Sequence, residues 1–178
     1  MVAGASGLGL AMTQLARLYG AHVVSTAGSP EKEAVAREFG AEIVVNHRRQ
    51  PLHEVLAEHP VDVAVDCVGT YIGTCVEKMN IGGRWIIVAA LGGATTELPL
   101  AAMYKRNLTV TGITLRSRPE EMKARILREL ETTVWPAIED GRIRSRIHAV
   151  FPMAEVNAAH AVLRAGANAG KVLLTLEA

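Results

Sequence analysis

A glycine-rich run at the start of the chain, Val2-Ala3-Gly4-Ala5-Ser6-Gly7-Leu8-Gly9, leads directly into an apolar segment with helical spacing. Glycine lets the backbone come close to a ligand, and a helix N-terminus presents unpaired N–H groups and the positive end of its dipole. The chemistry on offer is anion binding, with the backbone amides of Ser6, Gly7, Leu8 and Gly9 around a phosphate. The spacing Gly4, Gly7, Gly9 departs from the common G-x-G-x-x-G, so a plain strand-to-helix connection fits the same turn. Its surroundings have to decide.

A dinucleotide also needs its ribose held. An NAD site ends its second strand in Asp or Glu, which accepts from the ribose 2′-OH and repels a 2′-phosphate. Here that stretch is Thr26-Ala27-Gly28-Ser29, with no carboxylate before Glu31. Ser29 offers a hydroxyl and Lys32 a cation one turn into the next helix, so NADP is preferred to NAD. A solvated surface lysine accounts for Lys32 equally well. His47 to Arg49 follow the third strand and border the same region, although a solvated basic turn is the simpler reading.

Little else in the chain points to side-chain catalysis. Six histidines, at positions 22, 47, 53, 59, 148 and 160, show no paired metal-ligand spacing. Asp66, beside Cys67 at a strand end, fits a structural role better than that of a general base. No catalytic residue and no metal site are assigned, and hydride chemistry would belong to the cofactor.

The elements that must position these residues alternate along the chain. Helical spacing over 10–19, with Ala11, Leu15 and Leu18 on one face, ends at Gly20. A strand over 21–26 is followed by Ser29 and Pro30, a cap and first-turn pair for a helix to about 39. Strands over 42–45, 61–67, 84–89 and 108–115 and short helices near 52–58 and 71–79 continue the rhythm. This is the pattern of an α/β doubly wound parallel sheet, in which ligands bind beyond the carboxyl ends of the strands. Gly28-Ser29, Val68-Gly69 and Leu91-Gly92-Gly93 fall at such ends, beside the opening turn. After 115 come a long amphipathic helix over 119–139, with Met122, Ile126, Leu130 and Val134 at a spacing of four, and a terminal strand–helix–strand unit.

Composition sets the remaining bounds. Of 178 residues, 49% are hydrophobic, enough for a sizeable core, and 19 basic against 18 acidic residues leave a formal charge of +1. That balance gives no electrostatic footprint for nucleic acid or a membrane surface. No charged leader precedes an apolar stretch, no apolar run reaches the length of a membrane span, and two cysteines at 67 and 75 lack metal or redox spacing. A cytoplasmic protein working on small molecules is expected.

The ordered set Gly4-Ala5-Ser6-Gly7-Leu8-Gly9, Thr26-Ala27-Gly28-Ser29 with Lys32, Phe39-Gly40-Ala41, Asp66-Cys67-Val68-Gly69 and Gly82-Gly83-Arg84 resembles the cofactor-binding domain of the medium-chain dehydrogenase/reductase superfamily. Leu115-Arg116-Ser117-Arg118 and Gly170-Lys171-Val172-Leu173 resemble its zinc-independent quinone oxidoreductase branch. The resemblance spans essentially the whole chain. It implies a Rossmann fold and NADPH-dependent reduction of quinones or α,β-unsaturated carbonyls. It places the pyrophosphate on Ser6 to Leu8 and the 2′-phosphate on Gly28, Ser29 and Lys32. Where that branch usually has a tyrosine after the third strand, this chain has His47. Leu91-Gly92 and Thr114-Leu115 match segments that line the nicotinamide, and Asn168 with Lys171 match the closing C-terminal turn. An enoyl reductase module and a non-catalytic dinucleotide-binding module share these features.

The resemblance also implies a catalytic domain before the first residue, with Met1-Val2-Ala3 as the stub of a central strand. The chain is therefore expected to be a fragment that divides into an NADP-binding Rossmann domain, 1–142, and a remnant of the catalytic domain, 143–178. Losing most of a central strand bares sheet edges. Homo-oligomerisation through such an edge is expected.

Overall fold

The computed structural model describes residues 1–176. Ser6 opens the first helix, α1 (Gly7–Leu18), as its N-cap, its hydroxyl accepting from the Gly9 N–H at 3.0 Å, and Gly20 closes the turn beyond it with φ +77°. β1 (Val24–Ala27) leads to α2 (Pro30–Glu38), where Ser29 caps and Pro30 takes the first position. There follow β2 (Ile43–Asn46), α3 (Leu52–Glu58), β3 (Val63–Asp66), α4 (Ile72–Cys75) with a 3-10 turn at Val76–Lys78, and β4 (Arg84–Ile87). The second half adds α5 (Leu100–Lys105), β5 (Thr109–Gly112), α6 (Glu120–Thr133), α7 (Trp135–Glu139), β6 (Ile147–Pro152), α8 (Val156–Arg164) and β7 (Lys171–Thr175).

Every strand pair among the described residues is parallel: β1 with β2, β3 with β4, β4 with β5, and β6 with β7. Residues 1–4 join the first two groups, because Thr26 donates to the Met1 carbonyl (3.1 Å), Gly4 to Thr26 (2.9 Å) and Val2 to Val65 (3.0 Å). The order across the molecule is thus β2, β1, the opening segment, β3, β4, β5. This is a Rossmann-like doubly wound α/β sheet, as the alternation predicts. One face packs on α3 and α4 through Val45, Leu52, Leu56, Ile72, Val76 and Trp85, and Leu10 with Val35 and Phe39 forms a second core under α1 and α2. The terminal unit joins where Ser6 bridges Gly170 and Gly170 donates to the Ala5 carbonyl at 2.9 Å.

Three expectations are corrected, and one helix is added. Residues 1–3 do not form a strand stub: the chain turns there, with Ala3 left-handed at φ +57° and its N–H donating to Thr26 Oγ1 at 3.0 Å. Ala11 is exposed, and α1 turns Leu10, Thr13 and Gln14 inward. The rotation follows from Gly9, which seats the first turn on the Ala3 and Gly4 carbonyls, and from Gln14, whose side chain clasps the Arg144 backbone at 2.9 and 3.0 Å. The long helix breaks at Val134, since Pro136 cannot supply the N–H that a continuous helix needs, and α6 buries none of its residues fully. α5 is a helix that the periodicity does not reveal.

No helix among the described residues is long and apolar enough to cross a membrane. Met1 as a residue is half-buried, but its amino nitrogen is enclosed, donating to the Val24 carbonyl at 2.5 Å. Burial lowers its pKa to about 6 from 8.0, against the opposing pull of Cys67 and Asp66. A base whose folded pKa lies below its unfolded value binds fewer protons when folded. Stability therefore rises with pH between 6 and 8, and below 6 the cost of the buried charge is fully present. Urea unfolding of the 178-residue chain should gain about 2–3 kcal/mol from pH 6 to pH 8, and N-terminal acetylation should flatten that rise.

Candidate functional site

Parallel pairing sets the carboxyl ends of β1 to β5 along one edge, and the opening turn lies on that edge. Gly9 has no room for a side chain, since a Cβ there would lie 2.6 Å from the Gly4 carbonyl oxygen. The tight seat aims the first turn of α1 along the edge, and the N–H groups of Gly7 and Leu8, at the first two helical positions, have no partner within the helix. Leu8 is 40% exposed, and the methylenes of Lys171 lie over Gly7.

Beside this turn is an open cavity of about 440 Å³. Ser6 forms one end, Gly28, Ser29 and Lys32 a side, His47 and Arg48 the outer rim, and Gly166 to Asn168 the closing wall. Gly28 allows the His47 ring to lie close, because a Cβ there would sit 3.0 Å from His47 Cε1. Lys32 Nζ donates to the Gly166 carbonyl at 2.5 Å. Burial, and after it the charge of Arg48, hold the Lys32 ammonium below its ordinary pKa. Among the described residues no carboxylate lines the cavity. Glu33 is engaged elsewhere, accepting from Asn46 Nδ2 at 2.5 Å.

Six of the residues singled out in the sequence, Ser6, Gly28, Ser29, Lys32, His47 and Asn168, meet in this one cavity. Asn168 Nδ2 donates to the Gly170 carbonyl at 2.9 Å and so shapes the closing turn. Gly7, Leu8 and Lys171 adjoin it at the opening turn, and the others are set apart from it. Val68 and Gly69 lie past β3 and are stitched to the loop past β4, Gly92 donating to the Val68 carbonyl at 2.9 Å and Leu91 to Cys67 at 3.3 Å. Leu91 is 85% exposed and Leu115 58%, beyond the end of β5. The wall from Ala165 to Ala167 has no signal in the sequence, because Gly166 acts through its carbonyl. Arg48 sits in the basic turn for which a solvated role is the simpler reading. Its place on the rim follows from β2 lying against β1 in parallel register.

Asp66 is fully buried at the end of β3. One carboxylate oxygen accepts from the Val68 and Gly69 N–H groups (2.8 and 3.0 Å) and the other from Trp85 Nε1 at 3.2 Å. With both oxygens committed inward it orients the loop and has no access to a substrate. Burial raises the pKa of both Cys67 and Cys75, which keeps them as thiols. Among the described residues no group of three His, Cys, Asp or Glu could hold a metal ion.

Residues 7–132 match the family model described as zinc-binding dehydrogenase. The chain is similar to a probable quinone oxidoreductase of Schizosaccharomyces pombe, 28% identical over 177 aligned positions that cover 97% of this chain and 53% of that protein. It is also similar to quinone oxidoreductase of Homo sapiens, 28% identical over 183 aligned positions, 99% of this chain and 54% of that one. Among solved structures, quinone oxidoreductase from Thermus thermophilus, also determined in complex with NADPH, matches with a TM-score of 0.86 at 28% identity, covering 99% of this chain and 56% of that one. The chain spans about half the length of the curated relatives it matches.

The Asp66 cluster gives a direct test of how this edge is held. Asp66→Ala leaves three buried donors without an acceptor and should cost about 2–4 kcal/mol in urea unfolding. Asp66→Asn retains one acceptor oxygen and should cost less.

Proposed function

The chain belongs to the zinc-binding dehydrogenase family, within the medium-chain dehydrogenase/reductases, and from that premise we propose that it is the NADPH-binding portion of an oxidoreductase. The acceptor we assign is a quinone or a related α,β-unsaturated carbonyl. The observation that carries this reading is the pair Lys32 and Arg48 on a cavity lined by no carboxylate among the described residues. Two like charges on one rim repel, and a 2′-phosphate between them replaces that repulsion with attraction. The Ser29 oxygen accepts from the Lys32 N–H and its hydroxyl is bonded to the Glu31 carboxylate, a bond that the same phosphate would take over on binding.

The remaining groups fit the other parts of a dinucleotide. Ser6, Gly7 and Leu8 hold the pyrophosphate on the start of α1, where dipole and free amides favour an anion. His47 borders the adenosine end, and Asn168 and Lys171 hold the turn that closes over it. Val68, Gly69, Leu91, Gly92 and Leu115, at the ends of β3, β4 and β5, are assigned to the nicotinamide end. When bound, the reduced nicotinamide supplies the hydride; the chain's own residues bind and orient it.

The resemblance of Leu115–Arg118 and Gly170–Leu173 to the quinone oxidoreductase branch supports zinc-independent chemistry. The free, buried cysteines suit the reducing cytoplasm. Among the described residues the outer edges of β2 and β5 carry no strand, which supports homo-oligomerisation through an edge, and we keep residues 143–178 as a unit separate in origin from 1–142.

Calorimetry with the two dinucleotides tests the reading. NADPH should bind about tenfold or more tightly than NADH, and Lys32→Ala combined with Arg48→Ala should bring the two to near parity. Binding of neither would sink the cofactor assignment, and tighter binding of NADH would sink the phosphate assignment. Oxidation of NADPH by a simple benzoquinone then separates an oxidoreductase from a module that only binds the dinucleotide.

A further inference from the structure

The turn past β2 delivers two side chains to the rim of the cavity beside α1. The His47 N–H donates to the Ala27 carbonyl at 3.1 Å, which holds this turn against the end of β1. Asn46, buried at the end of β2, shapes it further. Its Oδ1 accepts from the Arg48 N–H at 3.1 Å, and its Nδ2 donates to Glu33 at 2.5 Å. His47 and Arg48 are thereby fixed on the rim together.

Gly28 lets both side chains close in. His47 Nε2 lies 3.4 Å and Arg48 Nε 3.8 Å from the point where a Cβ on Gly28 would stand. An imidazole and a guanidinium thus gather over one residue at the end of β1, with Ser29 and Lys32 lining the same cavity. His47 is exposed, and among the described residues no group bonds either of its ring nitrogens.

Histidine changes charge between about pH 5 and 8, so its surroundings decide what that change does. On α2, Lys32 is a cation, Glu33 is committed to Asn46, and Glu31 is exposed with its carboxylate on the Ser29 hydroxyl. In the turn itself Arg48 is a cation, and Arg49 is exposed and outside the lining. Burial first and the charge of Arg48 second hold the Lys32 ammonium below its ordinary pKa, so the charges on this rim act on one another. The closing wall, Ala165 to Asn168, and Ser6 at the start of α1 bring no charged side chain. An opposite charge within about 4–6 Å favours the charged form of a base, and a phosphate monoester is a dianion above about pH 6. A phosphate before Gly28 therefore draws a proton onto the imidazole, and a ribose hydroxyl in its place does not.

We propose that His47 makes the choice between the two dinucleotides depend on pH: its imidazolium joins Lys32 and Arg48 around a 2′-phosphate, and its neutral form withdraws one of the three charges. The inference rests on the reading of this cavity as a 2′-phosphate site. Its sign follows from linkage. A complex that holds a proton on His47 more firmly than the free protein does takes up protons on binding, so the preference for the phosphate-bearing ligand strengthens as pH falls and weakens as pH rises. Because the phosphate itself loses charge near pH 6, the effect is read between about pH 8 and pH 6.5.

The test titrates adenosine 2′,5′-bisphosphate and adenosine 5′-monophosphate into the 178-residue chain by calorimetry at both ends of that range, at one ionic strength. The ratio of their affinities should rise about fourfold at the lower pH, and His47→Gln and His47→Tyr should each hold it within about 1.5-fold. Proton NMR gives a second readout on the unaltered chain: the His47 ring resonance, assigned by its loss in His47→Gln, should titrate at higher pH with the bisphosphate bound than with the monophosphate. A ratio well above one that stays flat with pH, a slope that survives in both variants, or a ring titration indifferent to the 2′-phosphate each overturns the proposal and leaves the cofactor reading standing. Equal affinity for the two nucleotides at both pH values overturns the phosphate reading of the cavity and this proposal with it.

Discussion

Three backbone hydrogen bonds, Thr26 to Met1, Gly4 to Thr26 and Val2 to Val65, hold the two halves of the sheet in one plane. Everything functional depends on that join. It sets the end of β1 beside the start of α1, which places Gly28 and Ser29 within one cavity of Ser6. The join is made by a turn, with Ala3 left-handed, where an interior parallel sheet would ordinarily carry several ladder bonds. The glycine turn is the clasp of the fold, and under the proposed function it is the phosphate cradle as well.

That double duty explains the crowding around it. Gly4 is packed against Ser25, Gly9 against the carbonyls of Ala3 and Gly4, Gly7 under Lys171, and Gly170 against Arg146. The chain's last strand is pinned there too, through Ser6 and Gly170. A side chain at Gly9 would not simply block a phosphate; it would push α1 off the turn that joins the sheet. The two ends of the described chain therefore form the site together.

Much of this is legible in the sequence where the signal is local. Ser29-Pro30 marks the start of α2, Gly20 and Gly40 mark helix ends with positive φ, and α3 occupies 52–58 as the pattern predicts. What escapes is what packing decides. The six residues of α5 have no side-chain cap and no buried residue of their own, so nothing local announces them. The inward face of α1 differs from the apolar spacing because Gly9 and the Gln14–Arg144 clasp set its rotation. In the site, side chains with distinctive chemistry such as Lys32 and Asn168 can be named in advance. The Gly166 carbonyl cannot, since every residue carries one, and Arg48 gains its meaning only from the register of β1 with β2.

The contact of Lys32 with Gly166 bears on how the chain would tell its ligands apart. The ammonium has three N–H donors and the Gly166 carbonyl takes one, so a phosphate arriving there adds a charge-assisted bond to a side chain already held against the closing turn. Among the described residues the Arg48 guanidinium has no comparable partner to surrender, its backbone N–H alone being bonded, to Asn46. The two cations on the rim thus differ in their reference state: the ammonium is positioned beforehand by its bond at Gly166, while the guanidinium has no such anchor among the described residues. One side chain thus ties the closing turn to the rim on which a ligand's charge would be read.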